Sequence, residues 1–227
     1  MKSINIAIDG PAGAGKSSIA KAVAAERGMI YVDTGALYRS IALYKIKNNL
    51  SDEKLIENLQ KIDVKLGYEG ITQHVYLNGE DVSDKIRTNE VSMAASSVSA
   101  VPEVRKYLLE LQHKIASEND VIMDGRDIGT VILPNADVKI YLTASSKARA
   151  KRRWLEMKDK ENCPSLEEIE KDIIQRDYND MHRETAPLKQ ADDAVLLDTS
   201  DLDFEQSCES VKKIIDSKIN GVGKTGC

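Results

Sequence analysis

Gly10-Pro11-Ala12-Gly13-Ala14-Gly15-Lys16-Ser17 is the stretch that decides the architecture. Its glycines let a chain turn back on itself so that backbone N–H groups point inward, in the spacing G-x-x-x-x-G-K-[ST]. Residues 4–9 before it form a short β-branched run, and residues 16–27 after it set Ile19, Ala20, Val23 and Ala24 on one helical face. A strand that ends in such a loop and leaves as a helix aims the positive end of that helix at the loop's contents. Lys16 adds a point charge, and the Ser17 hydroxyl can reach a metal ion held by the same phosphates. The chemistry implied is a cradle for a nucleotide triphosphate.

Working outward, strands and helices alternate. Residues 29–32 read as a second strand closed by Asp33-Thr34-Gly35, with helices over about 36–48 and 52–61. That alternation predicts a parallel sheet covered by helices. Between 63 and 84 the rhythm changes: 64–66 and 74–77 alternate polar with apolar residues, and Asn78-Gly79 is a hairpin signal. A small antiparallel insertion is expected there. Helices follow over 89–100 and 102–117, with Pro102 suited to a first turn. Strands resume at 121–124 and 138–142, and a charged helix covers 146–158. Ser165 and Glu168 read as a capping box opening a helix to about Met181. Residues 194–197 read as a last buried strand and 204–219 as a closing helix, while the aperiodic tail 221–227 reads as frayed.

The chain's 227 residues suit one ordinary domain with small insertions, and 32 basic against 37 acidic residues leave a net charge of −5. A protein living on nucleic-acid backbone or anionic membrane is usually basic, so neither partner is expected. No apolar stretch reaches the roughly 18 residues of a membrane span, and the first apolar run is too short for a signal peptide. Cys163, Cys208 and Cys227 form no pair or metal-ligand cluster. A cytoplasmic protein with reduced thiols is the expectation, and a monomer the default. His74 and His113 fall on expected surface elements and read as solvated.

Two further stretches carry chemistry. In Asp33-Thr34-Gly35-Ala36-Leu37-Tyr38-Arg39, the helix N-terminus, the Thr34 hydroxyl and Arg39 can converge on a second anion. By itself such a turn with a surface arginine is ordinary; beside a phosphate cradle it gains weight. Asp124-Gly125-Arg126-Asp127-Ile128-Gly129-Thr130 ends a strand, where parallel sheets place ligand chemistry. Asp124 is placed to bind Mg²⁺ through water, Arg126 to fork onto phosphate oxygens, and Asp127 to act as a polar acceptor in the same crevice. The plain alternative is a capped turn with an internal Arg–Asp ion pair. Arginines are few, ten against twenty-two lysines, yet eight of them fall at 39, 105, 126, 149, 152, 153, 176 and 183. Arginine grips phosphate bidentately, so sparing use in clusters suggests anion clamps. The run 147–153 reads either as a solvated face or as a lid closing over a transferring phosphoryl group. Neither Asp-x-x-Gly nor Asn-Lys-x-Asp occurs, which argues against a GTPase switch.

Together these motifs, with Arg176-Asp177, Arg183 and Ala186-Pro187-Leu188, resemble the bacterial cytidylate kinases over residues 4–200. The insertion, with Gly79-Glu80-Asp81-Val82-Ser83 and Ile86-Arg87-Thr88, is similar to the enlarged CMP-binding insert of that branch. The resemblance implies an α/β fold, a P-loop NTPase-type parallel sheet flanked by helices, with a small antiparallel NMP-binding insertion and a helical lid. Its parts would be a core over 1–62, the insertion over 63–84 with helices to about 118, and core again over 119–145. The lid and flanking helices would take 146–182, the last core strand and helix 183–220, and the tail 221–227. It implies ATP, CMP and dCMP as small-molecule substrates and Mg²⁺ as cofactor. Residues 10–17 and Ser18 would hold ATP, Lys16 spanning its phosphates while Ser17 and Asp124 hold Mg²⁺. Thr34, Arg39 and Arg126 would grip the CMP phosphate, with Tyr38 in the same motif counted among the substrate positions. Ser96, Arg105, Asp127 and Arg183 would read the cytosine edge, and Arg176 and Asp180 the sugar. Arg152 and Arg153 would belong to the lid and, with Lys16, Arg126 and Arg176, to the catalytic set. Cys163 stands alone in the lid, so a four-cysteine zinc lid is excluded. Met181-His182 departs from the small polar residues common at those positions. A kinase of the same fold for another acceptor, and a slowly hydrolysing nucleotide switch, are the two alternatives.

Overall fold

The computed structural model describes residues 3–70, 72–159 and 163–222. In chain order they form β1 (Asn5–Asp9), α1 (Lys16–Arg27), β2 (Ile30–Asp33), α2 (Thr34–Lys47) and α3 (Asp52–Asn58). An insertion follows as β3 (Val64–Glu69), β4 (Thr72–Leu77) and β5 (Glu80–Asp81), then α4 (Asn89–Val98) and α5 (Pro102–Glu118). The chain returns through β6 (Val121–Gly125), β7 (Val138–Thr143), α6 (Ser146–Met157), α7 (Leu166–His182), β8 (Val195–Asp198) and α8 (Phe204–Val222).

β1 sits at the centre of a five-stranded sheet ordered β2-β6-β1-β7-β8, every pairing parallel. Its continuous apolar run is what a strand covered on both faces requires. Ile6 and Ile8 pack with Ile19 and Val23 of α1 and Val211 and Ile215 of α8, while Ala7 points to the opposite face, with Met123 and Ala116. The register Asp9↔Gly125 and Asp33↔Asp124 brings the carboxyl ends of β1, β2 and β6 level, so their loops open on one edge. A separate apolar cluster joins α2, α3, α4 and α5 to the three-stranded antiparallel sheet β3-β4-β5, through Leu37, Ile41, Val75, Val82, Val91 and Leu108. Gln73 of β4 ties that sheet to the core by accepting from the Asp33 N–H at 2.9 Å. Among the described residues no helix is long and apolar enough to cross a membrane.

The α/β architecture is the one expected, with local differences that have physical causes. α2 starts two residues early because Asp33 caps it, its Oδ1 accepting from the Ala36 N–H at 3.0 Å. The capping box at Ser165 and Glu168 forms, both halves in place. Asn78-Gly79 does turn a hairpin, but onto the two-residue β5; the long pairing is β3 with β4, closed between Glu69 and Thr72. β8 is not a buried strand: it borders the sheet, alternates in burial, and leaves Leu196 57% exposed. Of the two histidines expected to be solvated, His113 is exposed and His74 half-buried, and each also has a polar partner. His113 meets the Ile132 carbonyl at 2.7 Å and His74 the Asp81 carboxylate at 2.9 Å. A wide single helical turn at Ile128–Ile132 had no sequence signal. The tail expected to fray from 221 is still helical at 221 and 222, at the end of α8, and its remainder, 223–227 with Cys227, lies outside the described residues.

Candidate active site

The glycine loop leaves β1 at Gly10, whose φ is +148° and whose missing Cβ would stand 1.9 Å from the Leu142 carbonyl oxygen. Only glycine lets the chain cross β7 this closely. Lys16 then folds inward, 5% exposed, and donates to the Pro11 carbonyl at 2.7 Å. Burial first, and the Arg126 charge next, push the Lys16 ammonium down to about 7, against the pull of Asp124 and Asp9. Beside it the Ser17 hydroxyl donates to Asp124 Oδ2 at 2.8 Å, and the Tyr31 hydroxyl to Oδ1 at 2.9 Å. Burial and the neighbouring Asp33 push the Asp124 carboxyl up to about 6. A hydroxyl next to a buried carboxylate is a hard-oxygen donor pair that suits Mg²⁺, an ion usually held by one or two protein oxygens plus phosphate. Among the described residues no group of three or more His, Cys, Asp or Glu is placed to hold a metal ion.

The run 147–153 separates into different jobs. Arg149 is not a solvated or lid cation but a buried strut, 6% exposed, donating to the Ala12 carbonyl at 2.8 Å, the Ala144 carbonyl at 2.8 Å and Asp177 at 2.6 Å. Asp177 in turn accepts from the Ala12 N–H at 3.1 Å, so α6 and α7 together fix the loop's shape. Arg152 donates to the Thr199 and Leu202 carbonyls and lies 3.4 Å from the Ala14 carbonyl. Arg153 is exposed and pairs with Glu156 at 3.1 Å.

Opposite the loop stands an arginine wall, and nearly every guanidinium in it has a carboxylate. Arg39 pairs with Asp33 at 2.7 Å, while its buried Nε has no hydrogen-bond partner among the described residues. Arg126 pairs with Asp180 at 2.7 Å, not with Asp127, and Asp180 holds its guanidinium above the usual range despite burial. Thr34 bonds the Asp124 carbonyl at 2.8 Å. Asp127 is 3% exposed between Arg105 and Arg183, which hydrogen-bond its two oxygens. Burial raises the Asp127 carboxyl although both arginines oppose it. Arg105 also donates to the Ser99 carbonyl at 3.1 Å and lies 5.7 Å over the Tyr38 ring. The side chain of Arg176 reaches no hydrogen-bond partner among the described residues; the residue is exposed, and partial desolvation with the nearby Arg126 lowers its pKa.

Loop and wall enclose one cleft of about 380 Å³. It is lined by every expected site residue from Ala12 to Ser18, by Thr34, Tyr38, Arg39, Ser96, Arg105, Asp124, Arg126 and Asp127, and by Arg152, Arg153, Arg176, Asp180 and Arg183. Gly10 and Pro11 shape the loop without lining the cleft. Sequence reasoning missed Asp9, Tyr31, Ser99 and Glu156, and it quoted Asp33 and Asp177 within motifs without giving either a role as a partner. Only Asp9 carried a usable signal, an acid ending an apolar strand one residue before the glycine loop.

Residues 6–217 match the family model of cytidylate kinase. The cytidylate kinase of Caldicellulosiruptor bescii is 49% identical over 217 residues, which span 94% of this chain and 96% of that protein. That of Lactobacillus johnsonii is 50% identical over 220 residues, 95% of each. Among solved structures, a gluconokinase from Sinorhizobium meliloti superposes with a TM-score of 0.51 over 98% of both chains at 13% identity, a likeness of fold alone. A family match of this extent, relatives half identical along nearly their whole length, and a two-sided anion cleft agree: the chain belongs to the cytidylate kinase family.

Proposed function

We propose that the protein moves the γ-phosphoryl group of ATP directly onto the phosphate of CMP or dCMP, giving CDP or dCDP and ADP. The observation that carries this reading is the pairing of Lys16 and Ser17 on one wall of the cleft with Arg39, Arg126 and Arg176 on the other. A cleft with an anion site on each side suits two phosphorylated substrates meeting end to end. The acceptor is already an anion, so no strong base is needed, and positioning with charge neutralisation does the work. Lys16 bridges the donor phosphates, and Arg39 with Arg126 holds the acceptor phosphate in line. Arg176 and Asp180 face the sugar, and Arg152 and Arg153 approach from the lid helix as the cleft closes and dries. Ser17 and Asp124 would hold Mg²⁺, which would supply charge screening for the donor phosphates.

Base choice falls to Asp127 with Arg105, Arg183 and Ser96. Cytosine offers an amino donor beside ring N3 and O2 acceptors, which matches one carboxylate flanked by guanidinium and hydroxyl donors. Uracil presents a carbonyl to that carboxylate, a mismatch expected to cost a few kcal/mol. The test is ADP release with ATP and Mg²⁺ against CMP, dCMP, UMP and AMP in parallel. Fast turnover on CMP and dCMP alone supports the reading. Equal or better turnover on UMP or AMP removes the base-reading roles, and acceptor-independent ADP release removes the kinase reading.

A further inference from the structure

Asp9 has no part in the chemistry above, yet it is a buried carboxylate, 5% exposed, at the junction of the two walls. It ends β1, and Gly10 begins the phosphate loop immediately after it. Its Oδ1 accepts from the Ile128 N–H at 2.8 Å and its Oδ2 from the Gly129 N–H at 2.7 Å. Those two residues directly follow Asp127. One side chain therefore joins the first residue of the donor loop to the backbone that carries the base-reading carboxylate, across 119 and 120 positions of sequence.

The clamp is tight on its far side as well. A Cβ on Gly129 would lie 3.1 Å from Lys139 Cδ and 3.4 Å from Asp9 Oδ2. Lys139 has little freedom to move aside, because its ammonium is held by the Pro134 carbonyl at 2.6 Å and by Asp193 at 2.9 Å. Asp127 stands just above, with its carbonyl accepting from the Val131 and Ile132 N–H groups at 2.9 and 3.1 Å. Its backbone is thus pinned from the wide turn that Asp9 holds down, while its side chain is stretched between Arg105 and Arg183. Burial pushes the Asp9 carboxyl up to about 6 against the two N–H bonds, and the charges of Asp127 and Lys16 are both near enough to move it. Burying a carboxylate here is unfavourable in itself, and its two bonds are what offset it.

We propose that Asp9 is a positioning residue for acceptor choice: by clamping Ile128 and Gly129 it sets the height of Asp127 relative to the phosphate loop. The proposal rests on the reading of Asp127 as the cytosine-recognising carboxylate. Asn at position 9 keeps one acceptor oxygen but turns an NH₂ toward the second N–H, so the wide turn lifts on one side.

The test compares Asp9→Asn, Gly129→Ala, Asp127→Asn and the double variant Asp9→Asn/Asp127→Asn. Each is assayed for kcat and KM on CMP and UMP and for the KM of ATP, with thermal melting to establish folding. Asp9→Asn is expected to raise the KM for CMP and shrink the CMP-over-UMP preference, each about tenfold, leaving the KM for ATP within about twofold. Gly129→Ala, which presses on the clamp without removing the carboxylate, moves both in the same direction by less, and decides the matter if Asp9→Asn does not fold. The double variant is no worse than Asp127→Asn alone, since both act through one group. Equal losses on CMP and UMP, or losses confined to kcat and ATP, overturn the proposal and leave Asp9 a purely structural residue. If Asp127→Asn abolishes the preference while both clamp variants retain it, the clamp role falls and the reading of Asp127 stands. If Asp127→Asn itself retains the preference, that reading fails and the proposal with it.

Discussion

Seven consecutive residues, Ala12 to Ser18, make one wall of the cleft, whereas the facing wall gathers Arg39, Arg105, Arg126, Asp127, Arg176 and Arg183 from α2, α5, the loop after β6 and the end of α7. The first wall is mostly backbone, with one lysine whose charge burial suppresses. The second is side chain, and all its cations but Arg176 are already engaged: Arg39 by Asp33, Arg126 by Asp180, Arg105 and Arg183 by Asp127. The difference teaches how each wall meets an anion. On the proposed reading the loop receives phosphate chiefly with backbone N–H groups, its shape braced by the bond from the Ala12 N–H to Asp177, so its affinity is broad and depends on shape. The arginine wall must exchange or share a carboxylate for a substrate oxygen, so it holds its geometry beforehand and is selective about what it accepts. Buried ion pairs of this sort are poor sources of stability but good sources of preorganisation.

Breaking the loop wall has the largest expected consequence. Lys16→Met removes the loop's own side-chain cation beside the donor phosphates and lowers kcat/KM by about 10³-fold in a steady-state assay. Its melting temperature should hold or rise, because a buried ammonium is lost. On the opposite wall, Arg126→Ala lowers kcat/KM by about 10²-fold with the fold intact, and Arg126→Lys recovers only part of it, since a point charge replaces a fork. Near-normal activity in Arg126→Ala contradicts its role. The smallest effect is thermodynamic and concerns the residue that links the two walls. Asp9 titrates near 6 in the folded protein, above the ordinary 3.8, so its contribution to stability is full below about 3.8 and is lost as pH rises through about 6. Between pH 7 and pH 5 the wild type should therefore gain about 1 kcal/mol relative to Asp9→Asn, read as a widening gap in their unfolding midpoints.

How much of this was legible follows the same division. The loop could be read outright, because a contiguous motif between a strand and a helix carries its own geometry. The sheet could be read as well, since Ile6, Ala7 and Ile8 make a run that only a doubly covered strand explains. The arginines could be found by their sparing use, and the cleft does collect all of the eight but Arg149. Their partners could not, because nothing in sequence links Asp180 to Arg126 or Asp127 to Arg105 across 54 and 22 positions. Arg149 shows the limit most clearly. It sits in a run of like charges that periodicity treats as one face, but it turns inward to bond Ala12 while Arg153 stays in solvent. Helical phase within a uniformly charged segment has no apolar marker to reveal it. The wide turn at Ile128–Ile132 escaped for a related reason: it is held by Asp9, a residue distant in sequence.

The central claim is that a preset carboxylate between two arginines chooses the acceptor base. Measuring kcat/KM for CMP and for UMP side by side, in the wild type and in Asp127→Asn, tests it most directly. The account predicts a preference for CMP of about 10²-fold or more in the wild type, falling toward unity in Asp127→Asn while the KM for ATP stays put. An unchanged preference in the variant would contradict it.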